Sequence, residues 1–282
     1  MFADIHILHA SDFYQIADFK CLCDVCSITQ PEYNTSFCLS FIRKGFFEYR
    51  VFNGNQEAHV GRVLISKPGY EHTTRHIDQQ PDVTTVFEFK TDFFETLKEY
   101  YTDCSWFLKN NDIHSILLNC SVEADYIHHL ILKRVQSKKA GSLHIDEMVI
   151  SLLDAVISTL GNKHEVLSVS DNLKKYHLLT IETAQEFIHR SFSEDISLQQ
   201  LAQHCHISPF HFSRIFKTVL NTSPHKYLLG VRLQHAKILI ATSQKAISDI
   251  AFECGFSSLE YFATAYRQQF KVSPTQHRKE LA

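Results

Sequence analysis

The chain has 282 residues, of which 44% are hydrophobic and 21% charged, a balance that excludes an extensively disordered polypeptide and allows two globular domains with separate cores. Its start, MFADIHILHASDFYQ, lacks a basic run followed by an apolar stretch, and no segment approaches the roughly eighteen apolar residues of a membrane span. A cytoplasmic protein without membrane contact is therefore expected. The net charge of −3 hides an asymmetry: residues 1–182 hold 17 Lys+Arg against 24 Asp+Glu, whereas residues 183–282 hold 11 against 7. Such a division predicts that only the C-terminal part approaches a polyanion. Eight Cys without a secretory leader suggest reduced thiols rather than a disulfide framework.

In chain order, the first signal is alternation of the β type. Phe37 to Arg43 and Phe46 to Phe52 read as strands, Asn53-Gly54 as a favoured hairpin turn, and Glu57 to Ser66 and Val83 to Phe89 as further strands. Together they predict a sandwich or barrel over about residues 15–90. Its mouth would offer Phe41, Arg43, Tyr49, His72 and Phe87 to a small-molecule effector, unless the barrel is filled by its own side chains. Two readings stay open for Cys21, Cys23 and Cys26: small buried hydrophobes, or thiols that hold zinc or sense oxidants near His72 or His76. Helical periodicity marks 122–138 and 144–160 within a helical stretch from about 92 to 160. Residues 161–180 read as a hinge between domains at 1–160 and 181–282.

The last hundred residues contain an internal repeat. Leu198, Leu201, Ala202, Cys205, Ile207 and Ser208 recur 49 residues later as Ile247, Ile250, Ala251, Cys254, Phe256 and Ser257. After one inserted residue, Phe216, Leu220 and Ser223-Pro224 recur as Tyr266, Phe270 and Ser273-Pro274. Each copy, 198–220 and 247–270, reads as two short helices joined by a tight turn. Ser197 with Gln200 forms a capping box, Ser208 caps a helix with Pro209 in its first turn, and Ser257 with Glu260 would repeat the box. Gly255 suits a left-handed helix end. Between the copies, Ser223-Pro224 opens a spacer helix with Tyr227, Leu228, Val231, Ala236, Leu239 and Ile240 as its apolar positions. About seventeen residues at ~1.5 Å each span roughly 25 Å, enough to set two reading helices about one DNA turn apart.

Residues 183–280, with SLQQLAQHCHISPFHFSRIF in one copy and ISDIAFECGFSSLEYFATAYRQQF in the other, resemble the DNA-binding domain of the AraC/XylS family. HVGRVLISKPGYEH, around Gly61 to His72, resembles the cupin-like sensory domain that many members carry. The resemblance implies an α+β chain: a cupin-like β-barrel with following helices, linked to an all-α double helix-turn-helix domain. It further implies a transcription regulator whose partners are double-stranded DNA and RNA polymerase, with a homodimer formed through the helices after the barrel. Asn221 and Lys271 stand where the family's recognition helices usually end in Gly, so Lys271 predicts a differently shaped second turn. Thr264 and Ala265 replace a frequent basic position, which predicts a weaker second reader.

On the first reading helix, Phe212, Ile215, Phe216 and Val219 form a buried stripe and leave Phe210, His211, Ser213, Arg214 and Lys217 as DNA-contact candidates. Arg214 suits bidentate readout of guanine, worth about 1–3 kcal/mol of discrimination. Lys217 suits phosphate. On the second, Phe262, Tyr266 and Phe270 are core, and Ser258, Leu259, Glu260, Tyr261, Thr264 and Arg267 are the outward set. Arg278 and Lys279 would steer by charge. No phosphate loop, nucleophile elbow or metal-dependent cupin ligand set is present, so neither an enzyme, a cofactor nor a metal on the cupin pattern is expected. The alternatives are a metal-dependent barrel enzyme, which needs ligands beyond His72 and His76, and a scaffold whose helical repeat serves protein contacts.

Overall fold

Side chains that alternate between apolar and polar suit a pleated, half-buried backbone, and the N-terminal residues form strands where this pattern holds. In the computed structural model, which describes residues 3–22, 28–52, 54–76, 81–137, 142–161 and 171–281, nine strands come first. They are β1 (Ala3–Ala10), β2 (Tyr14–Cys21), β3 (Glu32–Asn34), β4 (Phe37–Lys44), β5 (Phe46–Val51), β6 (Gly54–His59), β7 (Arg62–Ser66), β8 (Tyr70–His76) and β9 (Val83–Phe89). After α1 (Thr91–Tyr100) and α2 (Ser105–Leu108), β10 (Ser115–Asn119) returns to the sheet, followed by α3 (Val122–Ser137) and α4 (Ser142–Gly161). Two antiparallel sheets result, ordered β1-β2-β9-β4-β7-β10 and β3-β8-β5-β6.

The six-stranded sheet has two different faces. Tyr14, Ile16, Phe37, Leu39, Phe41, Val63, Ile65, Phe87 and Phe89 on one face join Phe94, Leu97, Phe107, Ile131, Val149, Leu152 and Ile157 from the helices in one core. Each large side chain buried there contributes about 1.5–3 kcal/mol by leaving water. The other face looks toward the four-stranded sheet and helps line a cavity. Central strands are thus covered on both sides, and Phe37–Ile42 of β4 is buried without a break.

Several boundaries differ from expectation. The sheet begins at Ala3 rather than near residue 15, and β10 lies well past residue 90, because edge pairing is decided by distant partners. The single strand expected over Glu57 to Ser66 is two, divided at Val60-Gly61, where Gly61 takes φ +83°. Asn53, like Cys23 and Cys26, lies outside the described residues. The expected hinge is partly helix: α5 runs Asp171–Ser191, and residues 162–170 lie outside the description.

The chain divides into two units, residues 1–182 and 183–282. In the second, α6 (Leu198–His204), α7 (Pro209–Leu220), α8 (Pro224–Thr242), α9 (Ile247–Glu253), α10 (Leu259–Phe270) and α11 (Pro274–Leu281) follow the end of α5. Leu233, Ala236 and Ile240 of α8 pack with Ile250, Ala251, Cys254, Phe256, Phe262 and Tyr266 in the core of the second repeat. On the other side α8 gives Tyr227 to the first repeat, edge-on to Phe216 with ring centres 5.5 Å apart. The Tyr227 hydroxyl accepts from Gln185 Nε2 at 3.0 Å and shares a second hydrogen bond of 3.0 Å with His189 Nε2.

Candidate nucleic-acid interface

Both helix pairs are built by the same local devices. Ser197 accepts from the Gln200 backbone N–H at 3.1 Å, while Gln200 Oε1 accepts from the Ser197 N–H at 2.8 Å, completing the capping box that starts α6. The turn that follows is closed by Ile207 N donating to Ala202 O at 3.0 Å, with His206 at φ +56°. Its counterpart is closed by Phe256 N donating to Ala251 O at 3.1 Å, with Gly255 at φ +81°. Ser208 caps α7 through the His211 N–H, with Pro209 where a missing N–H costs nothing. In the second copy the cap is Ser258, which accepts from Tyr261 N–H at 3.2 Å, and not Ser257. Ser258 Oγ also donates to Glu260 at 2.7 Å, and this bond holds the Glu260 carboxyl below its ordinary range.

Asn221 and Lys271 both take the left-handed conformation, at φ +54° and +66°. The second turn therefore has the shape of the first, and the different shape expected from Lys271 is not found. The cysteines of the two turns are packing groups: burial pushes Cys205 up to about 11 and Cys254 up to about 12, so both remain thiols at neutral pH.

On α7, Phe212, Ile215, Phe216 and Val219 are buried, and Phe210, His211, Arg214 and Lys217 are exposed, with Ser213 half-buried beside them. Phe210 is 80% exposed, so it does not close the core. Among the described residues neither Arg214 nor Lys217 enters an ion pair, which leaves two cations one helical turn apart on an outward face. On α10, Leu259, Glu260, Tyr261, Thr264 and Arg267 are exposed and Ser258 is half-buried. Ala265 joins the core with Phe262 and Tyr266, while Phe270 is only half-buried. Gln268 is also exposed on α10, one turn after Thr264; its spacing could have revealed it. Arg278, expected to steer by charge, instead anchors the fold by donating to Lys245 O at 2.7 Å, whereas Lys279 is exposed.

Between the two sheets lies a cavity of about 410 Å³. Tyr49 and His72 line it, stacked with ring centres 4.7 Å apart, and Glu32 approaches His72 at 4.0 Å. Burial lowers the His72 pKa against the opposing influence of Glu32. Phe41, Arg43 and Phe87, expected at the same mouth, are elsewhere. Strand neighbours point to opposite faces, so Ser40, Leu64 and Val86, paired across β4, β7 and β9, face the cavity. Phe41 and Phe87 face the helices, where Phe41 stacks on His128 at 4.4 Å, and Arg43 pairs with Asp18.

Two helix-turn-helix units joined by one long helix define the class of the C-terminal unit. The comparisons agree: a helix-turn-helix domain family model matches residues 201–280. Over this unit the chain is similar to transcription regulators with a helix-turn-helix domain. Over 120 residues it is 32% identical to the HTH-type transcriptional regulator ArgR of Pseudomonas aeruginosa, covering 43% of this chain and 36% of that protein. It is 24% identical over 234 residues to the HTH-type transcriptional activator RhaR of Mannheimia succiniciproducens, 80% of each chain. A solved transcriptional regulator with an AraC-type DNA-binding domain, from Chromobacterium violaceum, is 32% identical over 37% of this chain and 93% of that one, with a TM-score of 0.35. The chain spans under half the length of several curated relatives it matches. Among the described residues no helix is long and apolar enough to cross a membrane.

Proposed function

We propose that the chain is a cytoplasmic, non-enzymatic transcription regulator that reads two successive major-groove segments of duplex DNA with α7 and α10. The observation that carries this reading is the outward strip Phe210, His211, Arg214 and Lys217, set opposite a fully buried stripe on a capped helix. Arg214 reads a guanine, Lys217 meets a phosphate, and Phe210 presses on a thymine methyl. The second helix carries one exposed cation, Arg267, and an exposed carboxylate, Glu260, so it adds fewer phosphate contacts and less sequence information.

Control of that activity belongs to the N-terminal unit, which we read as a cupin-like sensory domain. A cavity of about 410 Å³ fits a small-molecule effector. Among the described residues its lining carries Asn34, Ser40, Thr74 and the acids Glu32, Asp82 and Glu88 and no Lys or Arg, which suits a neutral hydroxylated or cationic ligand over an anion. A homodimer forms through α4, whose surface exposes Leu143 and Ile150. RNA polymerase is the further partner, as expected for relatives named activators.

The test is selection of bound fragments from random genomic duplexes by the full chain, with and without effector candidates, followed by salt titration. One motif should be enriched. Arg214→Ala should abolish the preference at one position, about 10- to 100-fold, while Lys217→Ala weakens all sequences alike and lowers the salt slope by roughly one. Salt-independent or absent DNA binding by the folded chain would overturn the proposal.

A further inference from the structure

Cys21 ends β2, His76 ends β8, and Asp82 precedes β9, so three chain segments from both sheets meet at one end of the sandwich. All three side chains are buried, and their ligand atoms lie within 4.8 Å of one another. We propose that Cys21, His76 and Asp82 form a binding site for a borderline-soft divalent cation of the zinc type, at the edge of the cavity, to whose lining Asp82 contributes. The donor set, one sulfur, one imidazole nitrogen and one carboxylate oxygen, is the mixture that zinc accepts. A thiolate and a carboxylate cancel the charge of the dication, which removes the main penalty of placing charges in the interior.

The surroundings hold the donors in place. The Cys21 N–H donates to the backbone oxygen of Asp82 at 3.0 Å, tying the two ligands together. Thr84 Oγ1 donates to Asp82 Oδ2 at 3.0 Å, leaving Oδ1, 2.5 Å from His76 Nε2, as the oxygen turned to the site. The ring of Phe47 stands edge-on to His76 at 6.3 Å. Gly45 presses on Asp82 from behind: a Cβ there would lie 2.8 Å from the Asp82 Cα. Zinc bonds of about 2.0–2.3 Å put tetrahedral ligands roughly 3.3–3.8 Å apart, so the His76–Asp82 contact opens by about 0.8 Å on loading. Loading replaces the S–H bond of Cys21 and the hydrogen bond between His76 Nε2 and Asp82 Oδ1 with bonds to the metal; the thiol proton leaves to solvent, and the proton held between His76 and Asp82 moves to His76 Nδ1. Water completes the coordination.

The full chain, reduced and stripped with a chelator, would be titrated with Co²⁺ and then with Zn²⁺ against a chromophoric chelator. One equivalent of Co²⁺ with a sulfur-to-cobalt charge-transfer band is expected. Affinity should fall at least tenfold in Cys21→Ser, His76→Ala and Asp82→Asn, and persist when Cys23 and Cys26 are both changed to Ser. That double variant keeps the test decisive if a ligand variant misfolds: the band surviving there supports the site, and its loss overturns the assignment to these three residues. No band in the folded unmodified chain, or unchanged affinity in folded Cys21→Ser, would also overturn it.

Discussion

Gly255→Ala should destabilise the C-terminal unit by about 2–3 kcal/mol, whereas His206→Gly at the equivalent turn should not. A left-handed backbone costs an L-residue about 1–2 kcal/mol, and Ala returns about 0.4–1 kcal/mol by stiffening the unfolded chain. The larger contribution is steric. A Cβ at position 255 would lie 2.7 Å from the Ser193 carbonyl oxygen and 3.0 Å from its carbon, so the segment before α6 must retreat by several tenths of an ångström. Crowding of that kind costs about 1–3 kcal/mol. His206 already sits at φ +56°, and glycine there relieves backbone strain at an entropic cost of similar size, for a net change within about 1 kcal/mol. Urea unfolding of the full chain, followed by the helical circular dichroism, should show the midpoint of Gly255→Ala lowered by about 1 M. The single Trp, Trp106, lies in the N-terminal unit, so its fluorescence transition should stay where it was. An unchanged helical midpoint for Gly255→Ala, or a larger loss for His206→Gly, would refute the reasoning.

His72 makes the N-terminal unit sensitive to acid. Burial holds its imidazole below the ordinary value of about 6.5, so as pH falls through that value the unfolded chain takes up the proton first and stability declines until the folded-state pKa is passed. The Trp106 unfolding midpoint should therefore drop between neutral and mildly acidic pH, and His72→Gln should flatten that drop; an identical slope in the variant would exclude His72 as its source. Leu143, 73% exposed on α4, should support self-association. Leu143→Glu should convert a dimer to monomers in sedimentation, and a variant that sediments with the unmodified chain would remove α4 from the interface.

The helical repeat was legible because its signals are local. Caps at Ser197, Ser208 and Ser223 and the apolar stripes of α7 and α8 depend on residues within two turns of one another. The error at Ser257 was a shift of one residue between two adjacent serines, both able to cap. His206 carried a signal that went unused, since the repeat sets it on Gly255 and so asks for the same left-handed turn. The cavity was poorly legible for a different reason. Strand pairing is non-local: on β4, buried on both faces, Phe41 looks as suitable for a cavity as Ser40, and on β9 Phe87 as suitable as Val86. The meeting of Cys21 with His76 and Asp82 follows only from the sheet order.

α8 belongs to two cores at once, through Tyr227 in the first repeat and Leu233, Ala236 and Ile240 in the second. One residue inserted between those positions would turn the second repeat by about 100° around the helix and move it about 1.5 Å along it. On the proposed reading, a change of that size would carry one reader off its groove, so the distance between the two DNA segments would not drift by single steps. Exchange of residues such as Arg214 would then alter the operator's sequence and leave its spacing fixed.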